Sequence, residues 1–267
     1  MSNSNKMPDG LKKDYPVESE LDFKARRRGL AVNIDETQIN ALSISQEALE
    51  KNRIIIGLGA SPLLDSYRIL RARVLQEMQE NDWVTLGITS PRTNEGKTLT
   101  AINLAVCLSF IIDQKVMLVD ADLSRPSIHR YFAFEPTYGL SDYLVDTVSL
   151  PDILVRTTEL ERFTILPGRG SLFNSSEMLS SPAMLELVEG LKSQQKTAKR
   201  LVLFDLPSVL DGADALAFLP NVDAALLVIE DSKTTKDDLK RTIELLGKTP
   251  LLGTVLNKAK DVSAGSP

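Results

Sequence analysis

The sequence predicts an α/β fold: a mostly parallel sheet with helices on both faces. Short β-rich runs alternate with helical ones along the chain. Several of those runs are continuously apolar instead of alternating, the mark of strands buried on both faces. The helical stretches carry apolar residues at three- and four-residue spacing, and strand and helix in alternation join through right-handed crossovers. With 267 residues, 43% of them hydrophobic, the chain can build a real core, which excludes disorder throughout.

Residues 1–50 read as a mobile polar segment, because the first 30 are charged and broken by Pro8, Gly10 and Pro16. Within it, Phe23 to Leu30 sets Lys24, Arg26, Arg27 and Arg28 beside two apolar residues, a pattern that can lie on anionic lipid. Glu18, Glu20 and Asp22 just upstream favour a solvated charge run instead. The domain is expected over 51–260, with a frayed tail at 261–267. Its first helix is placed at 61–80, where Leu64, Tyr67, Leu70, Val74, Leu75 and Met78 share a face and Ser61-Pro62 supplies a cap and a first-turn proline. Strands are expected at 83–89, 116–120, 163–166, 200–204, 224–229 and 251–256. Helices are expected at 98–112, 182–196 and 236–246, the last with Leu239, Ile243 and Leu246 on one face.

A formal net charge of −5 argues against nucleic acid as the main partner. The single cysteine, Cys107, forms no intrachain disulfide, and the single histidine, His129, leaves a zinc cluster out of reach, as suits a reducing cytoplasm. The longest apolar stretch, 104–112, is about half of the ~20 residues that cross a bilayer. The first residues lack the apolar core of a signal peptide, so no transmembrane or secretory segment is expected.

Three sites carry the chemistry. After the first buried strand, Ser90-Pro91-Arg92-Thr93-Asn94-Glu95-Gly96-Lys97-Thr98 opens directly into a long helix. A tight loop of inward-pointing amides followed by a helix N-terminus is the context of a phosphate-binding P-loop. Lys97 would bridge the β- and γ-phosphates of ATP and the Thr98 hydroxyl would bind Mg²⁺, with Thr93, Asn94, Glu95, Gly96 and Leu99 completing the nucleotide contacts. Pro91 stands where the loop pattern has its first glycine, and Asn94 stands at another glycine position, where asparagine tolerates positive φ.

The second site, Asp120-Ala121-Asp122-Leu123-Ser124-Arg125, follows the next strand, and its two-residue period sends both carboxylates to one side, facing Thr98. The third, Leu201-Val202-Leu203-Phe204-Asp205, has the form of a Walker B strand whose carboxylate holds Mg²⁺ directly or through water. Thr98, Asp122 and Asp205 are thus expected to converge on one metal, with Asp120 or Asp122 orienting or deprotonating the attacking group. Asn257, ending the last strand, could read the edge of adenine or be an ordinary turn asparagine.

This ordered set, with Leu166-Pro167-Gly168 and Asn174 to Leu179 between the motifs, resembles the bacterial tyrosine kinases of capsule and exopolysaccharide synthesis, within the MinD/ParA-type P-loop ATPases. The likeness runs roughly from Ser61 to Lys258. It implies a P-loop NTPase using ATP and Mg²⁺ as ATPase or kinase, peripheral at the inner face of the cell membrane with an integral membrane polysaccharide chain-length (co-polymerase) partner. Asp65, Arg68 and Arg71 are similar to the family's Glu-x-x-Arg-x-x-Arg motif and imply a homo-oligomer interface. The departures are Thr93-Asn94 for Pro-Gly in the loop, Leu206-Pro207-Ser208 after Asp205, and the absence of tyrosine beyond Tyr143, which turns the expectation from tail autophosphorylation toward ATP hydrolysis or a separate protein acceptor. A positioning switch, with Arg92 at the place of the signature lysine, and a weakly catalytic nucleotide-binding regulator are the alternatives.

Overall fold

The computed structural model describes residues 34, 39–57, 61–145 and 147–259, without the side chains of Asn40 and 194–198. The basic run at Phe23–Leu30, the mobility assigned to the N-terminal stretch up to residue 33 and the frayed tail lie outside the described residues.

Strands β1 (Asn40–Leu42), β2 (Thr85–Thr89), β3 (Lys115–Asp120), β4 (Val155–Thr157), β5 (Phe163–Leu166), β6 (Arg200–Asp205), β7 (Ala224–Glu230) and β8 (Leu251–Asn257) form one sheet. Its order is β1-β4-β5-β3-β6-β2-β7-β8. The β4–β5 pair is antiparallel and the remaining neighbours are parallel. Every residue of β2, β5 and β6 is buried, which is why their apolar residues show no alternation with an exposed polar face. β1 pairs with β4 and α1 (Gln46–Lys51) buries Ala48 and Leu49, so the sheet begins upstream of the boundary expected at residue 51. Two three-residue strands are too short to show periodicity, so neither β1 nor β4 was expected.

α2 (Pro62–Glu80) starts on Ser61, whose Oγ accepts from Leu64 N at 3.2 Å, and buries Val74 and Met78. α3 (Lys97–Ser109) is buried almost throughout and lies against β3 and α2. It stops at Ser109, short of the expected 112, because Phe110 and Ile112 face solvent and Asp113 takes the left-handed φ of 63° that turns the chain toward β3. The other long helices are α8 (Pro182–Ala198) and α10 (Lys236–Leu246), and short turns of helix fill the connections: α4 (Ile128–Tyr131), α5 (Leu140–Leu144), α6 (Leu150–Ile153), α7 (Ser175–Leu179) and α9 (Asp214–Phe218). Neighbouring β2, β6 and β3 end at one edge, with Asp120 opposite Asp205 in register, so the three motifs meet there.

The start of β2 is locked to the turn before β7 by Asp223. Its Oδ2 accepts from Val84 N (2.9 Å), Thr85 N (2.9 Å) and Thr85 Oγ1 (2.8 Å), and Lys192 Nζ lies 2.8 Å from Oδ1. Burial favours the neutral acid, but the lysine and the three donors outweigh it and hold the carboxyl below its usual range. A depressed native value stabilises above the ordinary carboxylate pKa, and the gain is lost as pH falls through the native value. Asp223→Ala is expected to cost roughly 2–4 kcal/mol at pH 7 in urea denaturation, with the gap to wild type closing below about pH 4. A gap that persists in acid would assign the loss to packing instead.

Candidate active site

The loop from Ser90 to Gly96 joins β2 to α3 and is braced from several sides. Asn94 (φ 65°) and Gly96 (φ 97°) both take left-handed conformations, as their residue types allow. Gly96 is needed twice over, since a Cβ there would stand 2.0 Å from Asn257 Nδ2. Glu95 is buried and turned away from the loop's concave side: Oε2 accepts from Arg92 N at 2.8 Å and Oε1 from Thr234 Oγ1. Asn257 Nδ2 donates to Glu95 O at 2.9 Å and its Oδ1 accepts from Lys258 N at 2.9 Å, while Lys258 Nζ donates to Asn94 O at 2.6 Å. Asn257 is therefore a strut holding the loop to the end of β8, with one N–H and one lone pair left for a ligand.

At the mouth of α3 the motifs converge. Lys97 Nζ lies 2.9 Å from Asp122 Oδ2 and 3.5 Å from Asp205 Oδ1, and Thr98 Oγ1 donates to Asp205 Oδ2 at 2.7 Å. Burial disfavours the ammonium, but Asp205 and Asp122 more than compensate, so Lys97 is held charged. Asp205 is pushed up by burial, against the pull of Lys97 and Thr98. Asp120 does not join its neighbours at Lys97 as the strand period suggested. Its Oδ2 accepts from Ser127 N (2.8 Å) and Ile128 N (2.9 Å), capping α4, and its buried Oδ1 has no partner. Burial, then the nearby Asp205, raise Asp120 to about 7.

Asp122 and Asp205 against the one Lys97 ammonium leave a surplus of negative charge, and the hydroxyl and carboxylate oxygens are hard donors of the kind Mg²⁺ takes. Among the described residues no three His, Cys, Asp or Glu side chains form a metal cage. A Mg²⁺ ion here, if held by Thr98, Asp122 and Asp205, would need phosphate oxygens and water to complete its shell.

A cavity of about 680 Å³ opens above this centre, within the range of small-molecule sites. Of the residues expected to bind nucleotide, Thr93, Asn94, Gly96, Lys97, Thr98, Leu99 and Asn257 line it, as does Asp122. Arg53, Arg130 and Tyr131 line it too and were not expected, since neither the turn after α1 nor the four-residue α4 shows a sequence period. Burial and Asp205 push the Tyr131 phenol up. Arg92, at the place of the signature lysine of a positioning switch, is engaged within the chain: its guanidinium is 2.8 Å from Asp238 and 3.7 Å from Asp211.

On α2 the charged stripe divides. Arg68 pairs with Asp65 at 2.9 Å, both exposed, beside the exposed Ile69. Arg71 instead donates to Cys107 O at 3.2 Å, satisfying one of the carbonyls that the last turn of α3 leaves without a partner. Of the three residues read as an interface motif, Arg71 is thus half-buried and turned to α3.

Fold and site together define a P-loop NTPase. No family model matches the chain. The tyrosine-protein kinase YwqD of Bacillus subtilis (strain 168) is 32% identical over 214 residues, covering 79% of this chain and 88% of YwqD. The succinoglycan biosynthesis transport protein ExoP of Rhizobium meliloti (strain 1021) is 28% identical over 78% of this chain, which spans 26% of ExoP. Among solved structures, the VpsO kinase domain matches with 26% identity and a TM-score of 0.65, over 73% of this chain and 96% of that one. MinD of Pyrococcus horikoshii OT3, complexed with Mg-ADP, matches with 25% identity and a TM-score of 0.52, over 65% and 69%. The chain belongs to the bacterial tyrosine-kinase family and is an enzyme of kinase or ATPase type.

Proposed function

We propose that this chain is a Mg-ATP-dependent phosphotransferase or ATPase that regulates polymerisation and export of an exopolysaccharide or capsule. It works at the inner face of the cell membrane with an integral membrane chain-length protein. The observation that carries the reading is the convergence of Lys97, Thr98, Asp122 and Asp205 at the end of adjacent strands, below a cavity lined by the P-loop residues Thr93, Asn94 and Gly96. Lys97 neutralises charge on the transferring phosphoryl group, and Thr98, Asp122 and Asp205 hold the ion that supplies the rest of that neutralisation. Asp122 faces the cavity and is the carboxylate placed to orient the attacking oxygen. Asp120 acts behind it, by fixing α4 and so the wall that carries Arg130 and Tyr131.

The kinship with exopolysaccharide proteins such as ExoP supports the pathway, and the absence of tyrosine from 144 to 267 supports an acceptor outside that stretch. The experiment follows the γ-phosphate of Mg-ATP. Release as inorganic phosphate or appearance on protein tyrosine supports the reading; tight binding with neither reduces the chain to a nucleotide-dependent regulator.

Self-association through Asp65 and Arg68 belongs to the same proposal. One exposed pair contributes about 0–1 kcal/mol, so only repetition around a closed assembly could hold subunits together. Arg68→Ala is expected to lower the sedimenting mass without changing the urea midpoint, and Arg71→Ala to lower the midpoint through the lost Cys107 contact. An unchanged mass in Arg68→Ala leaves this stripe a solvated face.

A further inference from the structure

The nucleotide cavity carries more positive charge than the P-loop accounts for. Five cations line it: Arg53, Lys97, Arg125, Arg130 and Lys258. Lys97 is engaged by Asp122 and Asp205, and Lys258 by Glu230 at 3.0 Å and by Asn94 O. Among the described residues no carboxylate pairs with the guanidinium of Arg53, Arg125 or Arg130.

Arg53 stands apart from the other two, because its backbone is held where arginine seldom goes. Asn52 is the C-cap of α1; beyond it Arg53 N donates to Glu50 O at 3.1 Å and Ile54 N to Leu49 O at 2.8 Å, the paired bonds of a Schellman cap. Such a cap puts the residue after the C-cap in the left-handed region and favours glycine there, yet Arg53 takes that place with φ 57°. The turn is also clamped to elements of the site. Fully buried Asn103 of α3 donates from Nδ2 to Arg53 O (3.0 Å) and accepts from Ile55 N at Oδ1 (3.0 Å), while Asn52 Nδ2 donates to Tyr131 O of α4 (2.8 Å). Since α3 opens with Lys97 and Thr98, the root of the Arg53 side chain is fixed relative to the P-loop. A residue that only closed α1 would need neither charge nor length, and glycine would close it better.

We propose that Arg53 is a nucleotide-binding residue whose guanidinium meets the phosphate chain of Mg-ATP from outside the P-loop. The inference rests on the Mg-ATP reading and adds a contact that none of the three motifs supplies. The planar fork of arginine donates to two phosphate oxygens at once, and Lys97, already held by two carboxylates, leaves phosphate charge to be met. The left-handed arginine is then a stability cost kept for ligand binding.

The test measures Mg-ATP affinity and the urea unfolding midpoint of the full chain together. Arg53→Gly supplies the residue the cap favours and removes the guanidinium, so it is expected to weaken Mg-ATP binding about tenfold while the midpoint without nucleotide holds or rises. The dependence of that Kd on salt is expected to become shallower, since one screened charge is gone. Arg53→Lys, which keeps the charge without the fork, is expected to bind with an affinity between the two. Wild-type affinity and salt dependence in Arg53→Gly overturn the inference and leave the Mg-ATP site standing. Weaker binding with a lower midpoint and an unchanged salt dependence assigns Arg53 to the turn alone and overturns it too. A wild type that does not bind Mg-ATP removes the underlying reading, and the inference with it.

Discussion

Lys97→Met is expected to abolish phosphoryl transfer and to weaken Mg-ATP binding by roughly ten- to a hundredfold, as loss of a charge-assisted contact worth about 1.5–3 kcal/mol implies. Methionine keeps the length and apolar stem of lysine, so the change isolates the ammonium. No other cation lies within salt-bridge distance of Asp122 or Asp205 among the described residues, hence no neighbour can replace it. The variant also leaves buried carboxylates without their counter-ion, a loss of about 3–5 kcal/mol when one partner of a buried pair is removed. Its unfolding midpoint is therefore expected to fall without nucleotide, and to recover in part on acidification as the carboxyls protonate. Wild-type affinity in Lys97→Met would refute the P-loop assignment.

Second in expected size is a division of labour among the aspartates. Asp205→Asn is expected to raise the Mg²⁺ concentration for half-maximal activity at least tenfold, because its carboxylate is fully buried against the Thr98 hydroxyl. Asp122→Asn is expected to do the same and also to slow turnover, since Asp122 holds Lys97 as well as facing the cavity. Asp120→Asn should leave the Mg²⁺ midpoint within about twofold, since Asp120 holds α4 and not Lys97 or Thr98, and should act on kcat because a neutral amide oxygen grips Ser127 N and Ile128 N less strongly than a carboxylate does. Indistinguishable Mg²⁺ titrations in the three variants would remove the division.

Much of this arrangement was legible before any coordinate. Buried parallel strands betray themselves as unbroken apolar runs, and a loop ending in Gly-Lys-Thr between such a strand and a long helix has few other physical uses. The site residues Lys97, Thr98, Asp122 and Asp205 were all named on that basis, and the structure brings them together. Illegible features share a different cause: they are single hydrogen bonds between residues far apart in the chain. Asp223 gripping Thr85, Asn257 bracing Glu95, Asp211 on Thr93 and Arg71 on Cys107 leave no period and no motif. Asp120 was misplaced for a related reason, because strand alternation gives the side of a carboxylate but not the donors that capture it, and the amides of Ser127 and Ile128 lie nearer than Lys97.

The convergence of Lys97, Thr98, Asp122 and Asp205 as a Mg-nucleotide site is tested most directly by the unfolding temperature of the purified chain with ATP, with and without Mg²⁺. At a ligand concentration of about 100 Kd the expected stabilisation is about 2.7 kcal/mol, a rise on the order of 5–10 °C for a domain of this size. Chelating the metal with EDTA should return most of that rise, and Asp205→Asn should show little of it. A rise equal with and without Mg²⁺, or none with either, would contradict the assignment.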